Sequence, residues 1–437
     1  MKKRFLNILF WGVISAAFIG PGTITTAASA GAEFGYQLVW ALVFSTIACV
    51  VLQEASARLT VTSGVNLGEA LRKYLREGKI GRAVLWLILA AIILGCAAYE
   101  AGNILGAVAG TSLMFDIPSY AVTALIGVVV FLLFWFNSVD MVARIMGVIV
   151  AFMGLCFFAT AFLMSPDFGH LLSNAAVPSF PPASGTLVLA LIGTTVVPYN
   201  LFLGSGIAKG KNLSEMRFSL TIAIVLGGLI SIAVLVVGTA VAGSFTFEGL
   251  SAALAEKLGG WASAMLGLGL FAAGLTSAIT APMAAAVTAR SILDSNESPD
   301  SRWTEKGRYF RMVWVLVLAA GLGFGLSQVT PVPAIILAQA LNGIILPLVA
   351  IGLLVLVNNP ELMSRKTVNS GVVNMLMSAV VFVTVVIGVQ NVASALNRLL
   401  PVQLVDDAYI LGVSAVLSLL LSWPVYRIIR RIRNPKP

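Results

Sequence analysis

Two short breaks interrupt apolar runs that are otherwise long enough to be helices: Gly20-Pro21-Gly22-Thr23 and Val197-Pro198-Tyr199-Asn200. Proline donates no backbone hydrogen bond and glycine tolerates non-helical torsions, so each break releases carbonyl and amide groups inside an apolar run. Hydrocarbon does not tolerate bare backbone unless protein or a watery cavity surrounds it, so paired breaks point to a solute site at mid-membrane. Gly20, Gly22 and Thr23 open one half-helix, Val197, Tyr199 and Asn200 the other, and Thr194 stands just before the second break. Their hydroxyl, amide and backbone groups are ion-binding chemistry. Glu100, a carboxyl inside another apolar run, is a functional candidate by default.

The elements that position these groups must be membrane spans. Hydrophobic residues fill 59% of 437 positions and charged residues 10%, far from the roughly 25% charged of a soluble domain. A span takes about 20 apolar residues. Twelve such stretches lie at 7–34, 37–57, 83–108, 119–137, 142–164, 184–208, 216–243, 261–289, 309–328, 333–357, 371–391 and 409–429. The first runs directly into its break without a small-residue processing site, so it is expected to stay as a span.

The formal charge of +9 is distributed by topology. With the amino terminus in the cytoplasm, twelve alternating spans put Lys2, Lys3 and Arg4, the Arg72–Arg82 cluster, Lys209, Lys211 and Arg217 on one face. The basic groups of 290–308, Arg365, Lys366 and the Arg427–Lys436 tail join them, while Lys257 and Arg398 fall opposite. This positive-inside pattern predicts an integral protein of a bacterial cytoplasmic membrane, both termini cytoplasmic and the lipid bilayer its surroundings. It argues against nucleic acid as a partner, because short basic loops without interleaved aromatics form no binding face. Cys49, Cys96 and Cys156 lie unpaired in apolar stretches and read as small core residues.

Both the first five and the next five spans open with an interrupted helix. That predicts one membrane domain, 1–437, as an inverted repeat of 5–165 and 184–358 followed by two extra spans at 371–430. Most of the 41 glycines read as helix packing.

Longer motifs carry a family resemblance. Gly31-Ala32-Glu33-Phe34-Gly35-Tyr36, Leu52-Gln53-Glu54-Ala55-Ser56-Ala57-Arg58-Leu59, Pro198-Tyr199-Asn200-Leu201-Phe202-Leu203 and the stretch from Ala272 to Thr280 resemble, in order and spacing, the Nramp family of proton-coupled divalent metal transporters. Lys211-Asn212-Leu213-Ser214-Glu215, Ala338-Gln339 and Leu346-Pro347 extend the match through ten spans. The resemblance implies an all-α membrane protein of LeuT-type fold, with spans 1 and 6 broken and about twelve spans in all.

The family's metal ligands are largely replaced. Its first-span Asp-Pro-Gly-Asn falls on Gly20 to Thr23, its Ala-x-x-Met-Pro-His on Thr194 to Tyr199, and a further histidine on Gly204. Transition metals need imidazole, thioether or carboxylate donors. Half-helix starts bind oxyanions through amides and dipole. The residues thus favour a small oxyanion such as bicarbonate as substrate, with a proton-coupled divalent cation, Mg2+ or Mn2+, as the alternative; no metal ligands are identified.

Coupling is expected from H+ or Na+. The resemblance aligns Glu100 and Asn103 with acids of a proton route that continues to basic residues of span 9, here Arg308 and Arg311. Thr276 and Ser277, with Thr280 one turn on, would offer sodium hard oxygens. Gln339 aligns with a family residue that approaches the substrate. Glu54 and Arg58 read as a local i, i+4 pair. No cofactor is implied, and no phosphate-cradling loop, zinc motif or nucleophile elbow marks an enzyme.

Overall fold

The computed structural model describes residues 2–75, 78–241, 243, 245–294, 301–327, 345–364, 366–399 and 407–433. Every regular element among them is an α-helix. The first half comprises α1 (Lys2–Phe18), α2 (Pro21–Phe34), α3 (Val39–Ser63), α4 (Leu67–Leu75), α5 (Lys79–Ser112), α6 (Ser119–Phe136), α7 (Val139–Leu163) and α8 (Phe168–Ala176). The second comprises α9 (Gly185–Thr195), α10 (Pro198–Ile207), α11 (Leu213–Gly238), α12 (Phe247–Leu258), α13 (Gly260–Leu293), α14 (Arg308–Leu326) and α15 (Ile345–Leu356). Two helices follow, α16 (Gly371–Leu399) and α17 (Asp407–Arg433).

Ten helical segments of the described residues have the length and apolarity of a membrane span, and the bent pair α1 and α2 makes an eleventh. The tenth sequence stretch, 333–357, lies partly outside the described residues; α15 is its described end. Side chains of the loops set several helix starts. Ser138, Asp167, Asn212 and Thr246 each accept a backbone N–H in the first turn of α7, α8, α11 and α12.

Both sequence breaks are real and differ in degree. Pro21 and Pro198 each stand at a first helical position, where a missing N–H costs nothing. Gly20 is extended, and the chain turns by 66° between α1 and α2. At the second break only Val196 and Val197 leave helical torsions, and α9 and α10 still read as one span, Leu187–Ile207.

The broken helices sit inside a shell of α3, α5, α11 and α13, which pack against them. Small residues allow this closeness. A Cβ on Gly274 of α13 would come 2.6 Å from the Ala107 amide nitrogen and 2.7 Å from the Asn103 carbonyl of α5. Backbone cannot step aside as a side-chain tip does, so Gly274→Ala is expected to destabilise the fold by about 1–3 kcal/mol. A lowered unfolding temperature in detergent is the check; an unchanged one would mean that α5 and α13 approach less closely.

Candidate functional site

The end of α1 is the centre of the site, because its last carbonyls have lost their helical donors. Side chains from α10, from α13 and from α2 supply replacements. Asn200 Nδ2 of α10 donates to the Ile14 carbonyl at 3.1 Å, and Tyr199 Oη to that of Ala17 at 3.0 Å. Ser277 Oγ of α13 donates to the Ala16 carbonyl at 3.1 Å. Thr23 Oγ1, just past the break, donates to the Phe18 carbonyl. The Ser15 carbonyl keeps a main-chain donor, Ile19, at 2.8 Å. The freed carbonyls are therefore held by protein.

The other hydroxyls near the breaks are committed in the same way. Thr25 and Thr26 bond the carbonyls of Pro21 and Gly22. Thr194 bonds that of Leu191 at 3.1 Å, Thr276 that of Ala273 at 3.0 Å, and Thr280 that of Thr276. Membrane Ser and Thr commonly satisfy themselves on their own helix. Here the habit removes the donors expected to face a guest. Gly22 is half-buried at the start of α2, and Val197, buried, is the extended residue before α10.

A face of α5 lines the first break. Gly106 lies against Pro21, and a Cβ on Gly20 would meet Ser277 Oγ at 2.6 Å and Asn103 Oδ1 at 3.4 Å. Glu100 is one turn earlier on that face, 0% exposed, packed on Gly321 of α14. Its neighbour Tyr99 meets the ring of Tyr199 edge-on at 5.8 Å between centroids.

Oδ1 of Asn200 and Oε1 of Gln53 are buried in this region with no hydrogen-bond partner, and the Glu100 carboxyl lies beside the Asn103 amide. The unpartnered atoms are acceptors. A buried polar atom left unsatisfied costs about 1–3 kcal/mol, so the region is chemically suited to a guest that brings positive charge or N–H and O–H groups. Gln53 of α3 was not singled out in the sequence as a ligand. Its Oε1 fills the space beside Gly204, where the resembling family has a histidine. The legible signal is the buried stripe Gln53, Ser56 and Thr60 facing α10, where Ser56 bonds the Leu201 carbonyl at 2.7 Å and Thr60 meets Ser205 at 2.6 Å.

Not every candidate converges. Arg308 is exposed at the start of α14, and Arg311 lays its guanidinium over the Trp135 ring, 4.0 Å from the centroid. Arg311 precedes Gly321 by ten helical residues, about 15 Å of rise, so neither arginine pairs with Glu100. Gln339 lies outside the described residues. Glu54 bonds both Arg58 of its own helix (3.0 Å) and Arg217 of α11 (2.7 Å), and Arg58 continues to the Thr367 carbonyl and Asn369. Glu33 and His170 are exposed.

Comparison with known proteins bears on this arrangement. Residues 12–394 match the family described as natural resistance-associated macrophage protein-like, Nramp. The chain is 26% identical over 408 residues to the divalent metal cation transporter MntH of Erwinia tasmaniensis, covering 88% of this chain and 94% of that one. It is 27% identical over 383 residues to MntH of Caldanaerobacter subterraneus, covering 83% and 87%. The crystal structure of the Eremococcus coleocola manganese transporter superposes with a TM-score of 0.74 at 18% identity, over 99% of this chain and 96% of that one. A nucleobase-cation-symport-1 family transporter does so with a TM-score of 0.58 at 17% identity, over 97% and 92%. The fold is the LeuT type, with an inverted repeat and interrupted first and sixth spans. The chain belongs to the Nramp family of membrane transporters.

Proposed function

We propose that this chain is a secondary transporter of a hard divalent metal cation, Mg2+ or Mn2+, driven by protons. The observation that carries the reading is the surplus of buried oxygens near the two breaks: the Glu100 carboxyl beside the Asn103 amide, and Asn200 Oδ1 and Gln53 Oε1, which have no hydrogen-bond partner. Oxygen acceptors suit a hard cation and the water it carries. Among the described residues no three His, Cys, Asp or Glu side chains gather into a metal-binding group. That favours a cation that keeps much of its hydration over one stripped and held by soft donors.

The oxyanion reading, bicarbonate above all, is corrected. Curated relatives aligned over most of the chain are named divalent metal cation transporters. The physical reason lies in the hydroxyls: those of Thr23, Thr194, Tyr199 and Ser277 are already given to backbone carbonyls, and the side-chain atoms left over are mostly oxygens that repel an anion.

Glu100 is the proposed proton-exchanging group, since a carboxyl held beside the path of a cation can trade one positive charge for another. The membrane in question is a bacterial cytoplasmic membrane with both termini inside, as the basic loops favour. The test is uptake by proteoliposomes of purified protein, comparing Mn2+ and Mg2+ with labelled bicarbonate under an imposed proton gradient. Saturable metal uptake accelerated by the gradient is expected. Bicarbonate uptake without metal uptake would defeat the proposal.

A further inference from the structure

The last two helices, α16 and α17, run antiparallel and leave a trench against α15. Its deeper part, about 460 Å3, is walled by Ile351, Leu354, Val381, Phe382, Val385 and Trp423. Through Ser378, Tyr426 and Ile429 it continues into a second compartment of about 490 Å3, bounded by Gly371, Asn374, Met375 and Arg430. Gly371 and Val385 are fourteen helical residues apart (385 − 371), about 21 Å of rise. Half a hydrocarbon core measures about 15 Å, so the trench is at least as long as one leaflet is deep.

The two ends differ in chemistry. The far end is apolar. At the near end Arg430 lines the wall, Arg427 and Arg431 stand within the same turn of α17, and Lys366 is exposed in the loop leading to α16. Arg427 leans on Trp423, 4.9 Å from the ring centroid, which sets one cation against a wall residue of the trench. Basic residues complement the last carbonyls of any helix, but that use does not call for an apolar channel opening beneath them. The wall is firm: Asn374 exchanges hydrogen bonds of 2.7–2.8 Å with Asn358 and accepts a third from Asn369.

We propose that this trench binds an anionic phospholipid, its phosphodiester at Arg430 and Arg427 and one acyl chain along Phe382 and Trp423. Basic pockets between membrane helices favour anionic headgroups, and the apolar length selects a lipid over a soluble phosphate. The proposal is independent of the identity of the transported ion.

Native mass spectrometry of the full chain in detergent, titrated with phosphatidylglycerol and phosphatidylcholine of equal chain length, tests it. Phosphatidylglycerol should bind at least tenfold more tightly. Near a membrane surface each arginine contributes about fivefold, so Arg427→Gln with Arg430→Gln should weaken it about 25-fold. Arg430→Lys should retain most binding, which separates lost charge from misfolding, and Ser378→Trp should block the acyl chain and lower binding with the arginines intact. Equal binding of the two lipids, indifference to the paired substitution, or competition by free glycerol phosphate as strong as by the lipid would each overturn the proposal.

Discussion

Replacing Glu100 by glutamine is expected to cut metal uptake about 30-fold or more while raising the stability of the fold. The two effects have one cause. Glu100 is fully buried beside the neutral Asn103 amide, and Arg311, the nearest basic candidate in the sequence, is turned onto Trp135 instead. An acid without a counter-charge is a burden to the folded protein, and an amide of the same shape relieves part of it. A doubly charged guest near mid-membrane depends on just such a group, because neutral dipoles return too little of its hydration energy. A loss of about 2 kcal/mol of charge-assisted interaction corresponds to about 30-fold. Proteoliposome uptake and thermal unfolding of the same preparations read the two signs together. Uptake that survives in Glu100→Gln would remove the carboxyl from the mechanism, and lowered stability would make it a structural residue.

Restoring an acid at the first break should not restore the family's metal site. An aspartate at position 20 places its Cβ 2.6 Å from Ser277 Oγ, 3.3 Å from Ser277 Cβ and 3.4 Å from Asn103 Oδ1. Ser277 must then leave the Ala16 carbonyl that it caps, at about 1–3 kcal/mol for the exposed acceptor. Gly20→Asp alone is therefore expected to lose at least tenfold in uptake, with a lower unfolding temperature. Pairing it with Ser277→Ala makes room for the carboxylate near the amide of Asn103. That double variant loses the Ser277 cap on the Ala16 carbonyl as well, so its unfolding temperature should stay below that of the natural chain, while it should bind Mn2+ about tenfold more tightly, the worth of one charge-assisted contact. A single variant as stable and active as the natural protein would mean that Gly20 and Ser277 are not in contact.

The parts of the fold legible in the sequence were those set by backbone chemistry. Gly20, Pro21 and Pro198 announce broken helices whatever surrounds them, and apolar length announces spans. What the chain alone does not reveal is which partner a polar side chain takes. Thr23, Thr194 and Tyr199 read equally well as hydroxyls open to an ion or as caps for carbonyls, and the structure commits them to the second use. The anion expectation rests on half-helix amides and the absence of the family's metal ligands, and the side chains around the breaks weigh against it. Gln53 was hidden for a related reason: its importance depends on the register of α3 against α10, where it occupies the space beside Gly204. Arg311 is a candidate through the resemblance alone, and the structure sets it ten helical residues, about 15 Å, from Gly321, with its guanidinium on Trp135.

Anomalous diffraction from crystals grown with Mn2+ tests most directly whether unpartnered oxygens choose the cargo. The expected result is one manganese peak in the membrane interior, beside the break at Gly20 and within reach, directly or through water, of Asn200 and Glu100, with oxygen atoms alone as neighbours. A peak confined to the surface, together with saturable Mn2+ uptake by the same protein, would contradict the account.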